Sequence, residues 1–177
     1  MELLVTLALA AMVAAWTVPA LRDFWLGIKA GTASAHFMGE LETMRFRSRA
    51  LPQAVTICGS ADGHLCDRDL GRQVLMFRDS NADGVVDAGE EVFYRDPFTD
   101  DEEFWLVWRS FQNKPYLRWA AGRTDSMNGT FTVCNRRHRD AWLRQVVVNR
   151  AGRSRQVVPL RAGASVLLAA RKACGWG

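Results

Sequence analysis

The sequence predicts an α+β fold in which one long N-terminal helix packs on an antiparallel β-sheet or sandwich. Two observations predict it. A run of 19 residues without charge, Leu3–Leu21, leads into apolar residues at helical spacing, and after Pro52 the apolar period shifts towards two. We therefore expect an N-terminal helix over residues 1–50 and a β-rich head over residues 51–177.

The composition is that of one ordinary globular domain. The chain has 177 residues, of which 49% are apolar and 24% are charged. This balance excludes a disordered chain, which has too few apolar residues, and a polytopic membrane protein, which has too few charged ones.

The charge-free run is long enough to cross a membrane as a helix. At 1.5 Å per residue it covers about 30 Å, the thickness of the hydrocarbon core. A secretory signal has a basic segment before a shorter apolar region, whereas the only charge before this run is the acidic Glu2. We expect a transmembrane segment at about residues 3–21. The alternative is a signal sequence cleaved near Ala15, because this stretch is rich in alanine.

The helical pattern continues beyond the membrane segment. Its apolar residues recur every three or four positions and form one stripe, while the charged residues lie mostly off it. The stripe consists of Leu26, Ala30, Ala33, Phe37, Leu41 and Met44. The pattern predicts an amphipathic second half of the same helix, which ends before Pro52 because proline cannot continue it.

Short β-branched or aromatic runs fill the rest of the chain, and turn residues separate them. Successive strands without helices between them favour an antiparallel arrangement packed on the helix. The predicted strands are Val55–Cys58, Val74–Phe77, Val92–Tyr94, Phe104–Trp108, Tyr116–Ala120, Thr130–Cys134, Val146–Asn149 and Gln156–Val158. The tail, Ala162–Lys172, fits either a strand or a short helix.

All four cysteines lie in the head and indicate disulfide bonds. Their spacing matches neither a C-x-x-C motif nor a zinc site. An even number in a chain that leaves the cytoplasm favours disulfides. Cys58 with Cys66 closes a small loop, and Cys134 with Cys174 pins the tail to the sheet. Free buried thiols are the alternative.

Opposite charges are separated along the head. Residues 62–103 contain 13 acidic and 4 basic side chains, whereas residues 134–177 contain 10 basic and 1 acidic. A basic region of this kind attracts a polyanion, and it is also suited to the acidic face of a neighbouring protein. Both kinds of partner remain open at this point.

Within the basic region, Gly152-Arg153-Ser154-Arg155 is the strongest candidate for binding. Asn149–Gly152 predicts a hairpin turn, which places Arg153 and Arg155 on one face of the next strand at a spacing suited to successive backbone phosphates. A guanidinium binds phosphate with a planar fork, and Gly152 allows the backbone to approach closely. Such binding reads no bases and weakens steeply with salt. Further arginines are expected to widen this patch: Arg136, Arg137, Arg139, Arg144, Arg150 and Arg161.

Residues Asp79–Glu90, called the acidic loop below, match the spacing of an EF-hand calcium loop. The Val85 carbonyl and the sharp turn at Gly84 complete the pattern. Strands rather than helices are expected on both sides, so the alternative is a polar β-turn stabilised by Asx turns. The cofactor prediction is therefore none, with calcium as the possibility that this loop raises. The candidate ligand side chains are Asp79, Asn81, Asp83, Asp87 and Glu90.

The sequence contains no pattern that predicts an enzyme. The histidines His36, His64 and His138 are scattered, and no nucleophile elbow, phosphate-binding loop or dinucleotide motif occurs. We therefore predict no catalytic residue.

Several segments occur in an order that is typical of one family. They are Glu2–Ala8, which is similar to the pilin N-terminal signature; Pro19, which matches its helix-bending proline; Val55–Cys58; Asp79–Glu91; Gly129–Cys134; and Gly152–Arg155. Together they resemble the GspH/FimT family of type IV pilin-like proteins over nearly the whole chain.

This resemblance implies a type IV pilin-like fold and a single-pass inner-membrane protein with a periplasmic head. It implies that Glu2 guides subunit addition, because a carboxylate in the membrane needs a cationic partner, here the N-terminal amine of a neighbouring pilin. The alternative is that Glu2 lies at the membrane interface and reaches water. The implied partners are other pilins or pseudopilins in a filament, and a prepilin peptidase acting on a precursor that we expect to extend before Met1.

In FimT-like members a Gly-Arg-x-Arg motif is associated with DNA binding during natural transformation. The resemblance therefore implies a type IV pilus minor pilin that contacts DNA through Arg153 and Arg155. A GspH-like pseudopilin of a type II secretion system, with a purely structural role, is the first alternative. A signal-cleaved periplasmic module that binds calcium is the second.

Overall fold

One uninterrupted helix, α1 (Glu2–Ala50), opens the chain. The computed structural model describes residues 2–67, 70–71, 73–99, 102–120, 123–124 (backbone only) and 128–176. The first half of α1 is long and apolar enough to cross a membrane, and its most apolar stretch is not buried against the head. The helix continues through Pro19. The predicted length of the helix is confirmed.

The second half of α1 buries one stripe in the head. Phe37, Leu41 and Met44 are almost completely buried, as the helical spacing predicted. The stripe differs from the prediction at one position, because Ser34 rather than Ala33 is fully buried. Ser34 is tolerated there because its Oγ accepts a hydrogen bond of 2.9 Å from Gln156 Nε2.

The head consists of two antiparallel sheets. The strands are β1 (Ala54–Gly59), β2 (Val74–Asp79), β3 (Val92–Asp96), β4 (Phe104–Ser110), β5 (Tyr116–Ala120), β6 (Arg123–Thr124), β7 (Gly129–Asn135), β8 (Arg144–Val148) and β9 (Ser154–Val157). The first sheet has the order β3-β2-β1-β5-β6, and the second sheet has the order β4-β7-β8-β9. The predicted α+β class is thus confirmed, and β9 is an edge strand.

The core lies between α1 and the inner faces of the two sheets. Phe37 of α1 packs edge-to-face on Phe131 of β7 at 4.9 Å between ring centroids, and Trp108 of β4 covers the same ring at 4.3 Å. Gly129 makes this packing possible, because a Cβ at that position would meet Trp108 at 2.2 Å and the Arg109 carbonyl at 2.6 Å. Along β4, side chains alternate between this core and the outer face.

The tail forms two short helices on the outer face of the second sheet, α2 (Pro159–Ala162) and α3 (Ala164–Ala173). Of the two structures that fit the tail pattern, the helix is therefore the one present. Disulfides join Cys58 to Cys66 and Cys134 to Cys174, the two pairs that the spacing suggested. The second disulfide fixes the end of the tail beside the end of β7.

The second sheet has two ends, which we call the base and the tip. The base carries the loop that follows β7 and a 3-10 helix, Asp140–Trp142, and it lies beside Asp23 and Gly27 of α1. The tip carries the β8–β9 turn and lies beside Glu42 of α1. Because Asp23 and Glu42 are 19 residues apart on one helix, the two ends are separated by about 28 Å along its axis. The base is the end next to the apolar half of α1.

Candidate nucleic-acid interface

The Gly-Arg-Ser-Arg motif forms the tip of a β-hairpin, as its turn residues predicted. Strands β8 and β9 pair from Gln145 opposite Val157 to Val148 opposite Ser154. We call the two strands and the turn between them the arginine hairpin. Asn149 closes the turn, because its backbone N–H donates to the Arg153 carbonyl and its Oδ1 accepts from the Arg153 N–H at 3.0 Å.

The backbone conformation of this turn requires a glycine at position 152. Its φ of +72° lies in the left-handed region, where side chains are disfavoured, and it is buried. The Gly152 N–H donates to the Asn149 carbonyl at 2.9 Å. Gly152 therefore sets the shape that presents the next two arginines.

Alternate residues of β9 point to opposite sides of the sheet. Ser154 and Gln156 face α1: Ser154 donates hydrogen bonds from its N–H and its hydroxyl to Glu42 Oε1, and Gln156 donates to Ser34. Arg155 is on the opposite, outer face and is exposed, and Arg153, which precedes the strand, is also exposed. The helix thus holds one side of β9 and leaves the arginine side to solvent.

Glu42 is the anchor of the hairpin, and no sequence pattern indicated it. Burial opposes ionisation of this carboxyl, but hydrogen bonds from the Ser154 hydroxyl and N–H and from Arg45 outweigh it, so the pKa of Glu42 lies below its ordinary value. Arg45 also donates to the Ala151 carbonyl in the turn at 3.4 Å. Two neighbouring side chains of α1 therefore hold the tip.

Arg153 and Arg155 line one open groove of about 500 Å³ together with Val147 and Asn149. Within the part of the chain that the structure describes, neither guanidinium has a hydrogen-bond or ion-pair partner. Arg150 lies in the turn itself and is exposed. The arrangement places two guanidinium groups along one groove, and a guanidinium group can bind a phosphate through two parallel hydrogen bonds.

Arg144 does not belong to this patch, contrary to the sequence expectation. It begins β8 at the base and faces α1, where its guanidinium donates to the carbonyls of Ala141 at 2.7 Å and Leu143 at 2.8 Å, and reaches that of Gly27. Burial, and next the positive charge of Arg161, lower the pKa of Arg144. Its donors are used to join the base of the sheet to the helix.

Arg136 and Arg137 are also at the base, one sheet length away from Arg153. β7 spans seven residues, so its two ends are about 20 Å apart. Arg136 forms an ion pair of 2.7 Å with Glu102. Arg137 lies 3.4 Å from Glu103 and 3.8 Å from Asp23. These arginines are neighbours of the motif in sequence but belong to a separate, charge-paired cluster, which Arg139 joins through Asp23.

The polar side chains of the acidic loop form hydrogen bonds that hold the loop itself together. Asp79 is completely buried, and its Oδ2 accepts from Thr56 at 2.6 Å, from Arg118 at 2.8 Å and from the Gly84 N–H at 3.2 Å. The Asp83 N–H donates to its other oxygen. The residue expected to be the first calcium ligand is therefore the buried anchor of the loop.

The remaining candidate ligands are bonded to one another or to the backbone. Asn81 Nδ2 donates to Asp83 at 2.9 Å and to Asp87 at 2.8 Å, and Glu90 accepts from the Ser80 and Asp87 N–H groups. Among the described residues, no group of three or more His, Cys, Asp or Glu side chains is placed to hold a metal ion. The geometry corresponds to the alternative interpretation, a polar turn closed by Asx-type bonds.

Arg118, the partner of Asp79, is a further charged residue of this site that the acidic-loop pattern did not indicate. It is 6% exposed, is paired with Asp79, and stacks over the Tyr116 ring at 4.4 Å. The available signal was a basic residue in the middle of the strand Tyr116–Ala120, flanked by Leu117 and Trp119. A charge at such a position is kept only with a buried partner.

Glu2 occupies the first turn of α1 and is exposed. The apolar stretch of α1 that follows it is not buried against the described part of the head. Its expected role in assembly remains a prediction.

A family model described as type II transport protein GspH matches residues 33–152 of the chain. The match begins in the amphipathic half of α1 and ends at Gly152, directly before Arg153 and Arg155. No curated protein matches the chain significantly in sequence.

Two solved structures illustrate the similarity of the fold. The type IV minor pilin FimU of Pseudomonas aeruginosa has 16% identity and a TM-score of 0.56, with 73% of this chain and 88% of that chain covered. The minor pseudopilin EpsH from the type 2 secretion system of Vibrio cholerae has 12% identity and a TM-score of 0.53, with 73% and 97% covered. At these identities the similarity concerns the fold alone.

Proposed function

The chain belongs to the GspH family of type IV pilin-like proteins, and we propose that it is a minor pilin of a type IV pilus that binds DNA through Arg153 and Arg155. Binding is independent of sequence and serves DNA uptake. Its family is one of structural filament proteins rather than enzymes.

One observation carries the DNA proposal: among the described residues, the guanidinium groups of Arg153 and Arg155 have no hydrogen-bond or ion-pair partner, whereas other arginines of the basic region do. Arg136, Arg137 and Arg139 are paired with acids at the base, and Arg144 is bonded to carbonyls. A helix-anchored hairpin that leaves two guanidinium groups in solvent is suited to phosphate, because no side chain must be released before binding.

We propose further how the chain is anchored, processed and added to the filament. The apolar half of α1 anchors the chain in the inner membrane, the head lies in the periplasm, and a prepilin peptidase acts on the precursor. Glu2 then directs addition of the subunit to a neighbouring pilin. The position of the hairpin supports this arrangement, because the tip is the end of the head that is distant from the apolar half of α1.

The proposal is tested by DNA affinity measured at several salt concentrations. The full-length chain in neutral detergent micelles is titrated with a fluorescent duplex, and Arg153→Ala/Arg155→Ala is compared with the unmodified chain. Loss of two phosphate contacts should reduce the slope of log affinity against log salt by about 1.8 and weaken binding at every duplex sequence. Unchanged affinity and slope would exclude the arginine hairpin as the DNA site.

Arg136→Ala/Arg139→Ala is the matched control, because it removes the same charge from the base. The exposed ion pairs of Arg136 and Arg139 contribute little to stability, and the exposed side chains of Arg153 and Arg155 form no ion pair among the described residues. Both double variants should therefore unfold at nearly the same denaturant concentration as the unmodified chain. The slope of the control should be unchanged. An equal loss in both variants would mean that net charge, and not the hairpin, attracts DNA.

A GspH-like minor pseudopilin is the second candidate function, favoured by the similarity to EpsH. In that case the arginine hairpin contacts an acidic face of a neighbouring pseudopilin, and the role is structural. Arg153→Ala/Arg155→Ala would then weaken the association of the chain with its filament partners and leave DNA retention unchanged.

A further inference from the structure

The outer face of the second sheet carries more than the two arginines. The strand register places Arg109, Thr130, Val147 and Arg155 opposite one another on the four strands β4, β7, β8 and β9. Their neighbours, among them Trp108, Phe131 and Val146, are buried in the core, so this row faces outward. It crosses the sheet over three strand spacings, about 14 Å.

A second row, which contains Phe111 and Arg153, lies two residues nearer the tip. Arg153 is bonded to Asn149 across the hairpin, and on the other side of the sheet the Phe111 N–H donates to the Asn128 carbonyl at 2.9 Å. The Phe111 side chain is 75% exposed. Among the described residues of the head it is the only exposed Phe, Tyr or Trp. The face therefore has cations at its β9 side and an exposed aromatic ring just beyond the end of β4.

Helix α3 forms a wall along this face. Ser165, Val166 and Ala169 enclose, with Thr130, Val147 and Arg155, a groove of about 530 Å³. It shares Val147 and Arg155 with the groove at the arginine hairpin, so the two grooves adjoin. At the far side, Arg109 Nη2 donates to the Lys172 carbonyl at 2.9 Å, which holds Arg109 beside the end of α3.

We propose that this face binds single-stranded DNA, with phosphates on Arg153 and Arg155 and one unpaired base stacked on Phe111. The inference rests on the proposed DNA-binding function and adds the form of the ligand. A ring exposed at the edge of a cationic groove is a stacking platform for any base. Only an unpaired base can use it, because in a duplex both faces of each internal base are covered by its neighbours.

The test compares three probes on the full-length chain in neutral detergent micelles: a 12-nucleotide oligothymidine, an abasic strand of equal length and a duplex. Phe111→Ala should weaken binding of the oligothymidine by about 5- to 150-fold, the range that corresponds to one base stacked on an aromatic side chain. Binding of the abasic strand and the duplex should not change. Phe111→Trp should restore affinity for the oligothymidine.

Leu160→Ala is the matched control, since it removes another exposed apolar side chain of the head, 52% exposed and outside both rows. It should leave all three affinities unchanged. The inference is overturned when Phe111→Ala leaves oligothymidine binding intact, or weakens the three probes equally. An effect of Phe111→Ala on filament assembly alone also overturns it, because the ring would then be a protein contact.

The failure of this inference can be distinguished from failure of the proposed function. If Arg153→Ala/Arg155→Ala weakens every probe while Phe111→Ala weakens none, DNA binding stands and single-strand stacking does not. If the arginine variant changes no affinity, the proposed function fails as well.

Discussion

The two charged loops of the head differ in the use of their charged side chains. In the acidic loop, Asp79 is buried on Arg118, and the other polar side chains accept or donate hydrogen bonds within the loop. In the arginine hairpin, Asn149, Gly152 and Ser154 hold the turn, and among the described residues the guanidinium groups of Arg153 and Arg155 have no hydrogen-bond or ion-pair partner. A charged motif is therefore a candidate binding site only where its charges are not needed to build its own loop.

Asp79→Asn should have the largest effect, a loss of about 3–5 kcal/mol in the free energy of unfolding, because it leaves the buried Arg118 without its countercharge. Denaturant unfolding of the full-length chain in detergent measures the loss. Asp87→Asn is the control in the same loop, since this carboxylate is exposed and accepts a hydrogen bond from the exposed Asn81. Equal losses in the two variants would show that the loop has no buried anchor.

Gly152→Ala should cost about 1–2 kcal/mol, because alanine must adopt the left-handed conformation at φ +72°. Gly39→Ala is the control, since nothing lies within 4 Å of a Cβ at that helical position and alanine favours a helix. Denaturant unfolding should therefore show opposite signs for the two changes. If Gly152→Ala is neutral, the turn does not depend on its glycine.

Ser154→Ala should destabilise the chain by about 1 kcal/mol at neutral pH through loss of the hydrogen bond to Glu42. The pKa of Glu42 is lowered in the folded chain, so the stabilisation is complete above its ordinary value of 4.5 and is lost as the pH falls through the folded-state pKa. The difference between variant and unmodified chain should therefore shrink on acidification below pH 4.5. A difference that is constant with pH would contradict this assignment of Glu42.

Calcium should have the smallest effect. The acidic loop is closed by its own hydrogen bonds, so neither added calcium nor a chelator should change the melting temperature of the full-length chain. A melting temperature that rises with calcium and falls again with chelator would show that the loop rearranges into a metal site.

Much of the fold could be predicted because it depends on local pattern. The spacing from Phe37 to Met44 indicated the buried side of α1, and the turn residues around Gly152 indicated the hairpin. The short spacing of Cys58 and Cys66 made them a plausible local pair, and the structure has that pair and the remaining one. These features need no knowledge of which distant residues are in contact.

The composition of the patch could not be predicted in the same way. Arg144 is close to Arg153 in sequence, but a strand separates them and its first residue faces α1. The EF-hand pattern identified the acidic residues of the loop by their spacing. It could not show that Asp79 is paired with Arg118, which is 39 residues away in the sequence. Which groups form a hydrogen bond depends on the tertiary structure, whereas a single sequence shows only which donor and acceptor side chains are present.

The continuous α1 has a mechanical consequence. Edge strand β9 is fastened to it at two positions, Ser34 and Glu42, and the same helix enters the membrane segment without a break. A force applied at the tip therefore acts on α1 through these hydrogen bonds as well as on β8 through the backbone hydrogen bonds that β8 shares with β9. A load held by the tip reaches the anchor of the chain without having to peel the sheet apart.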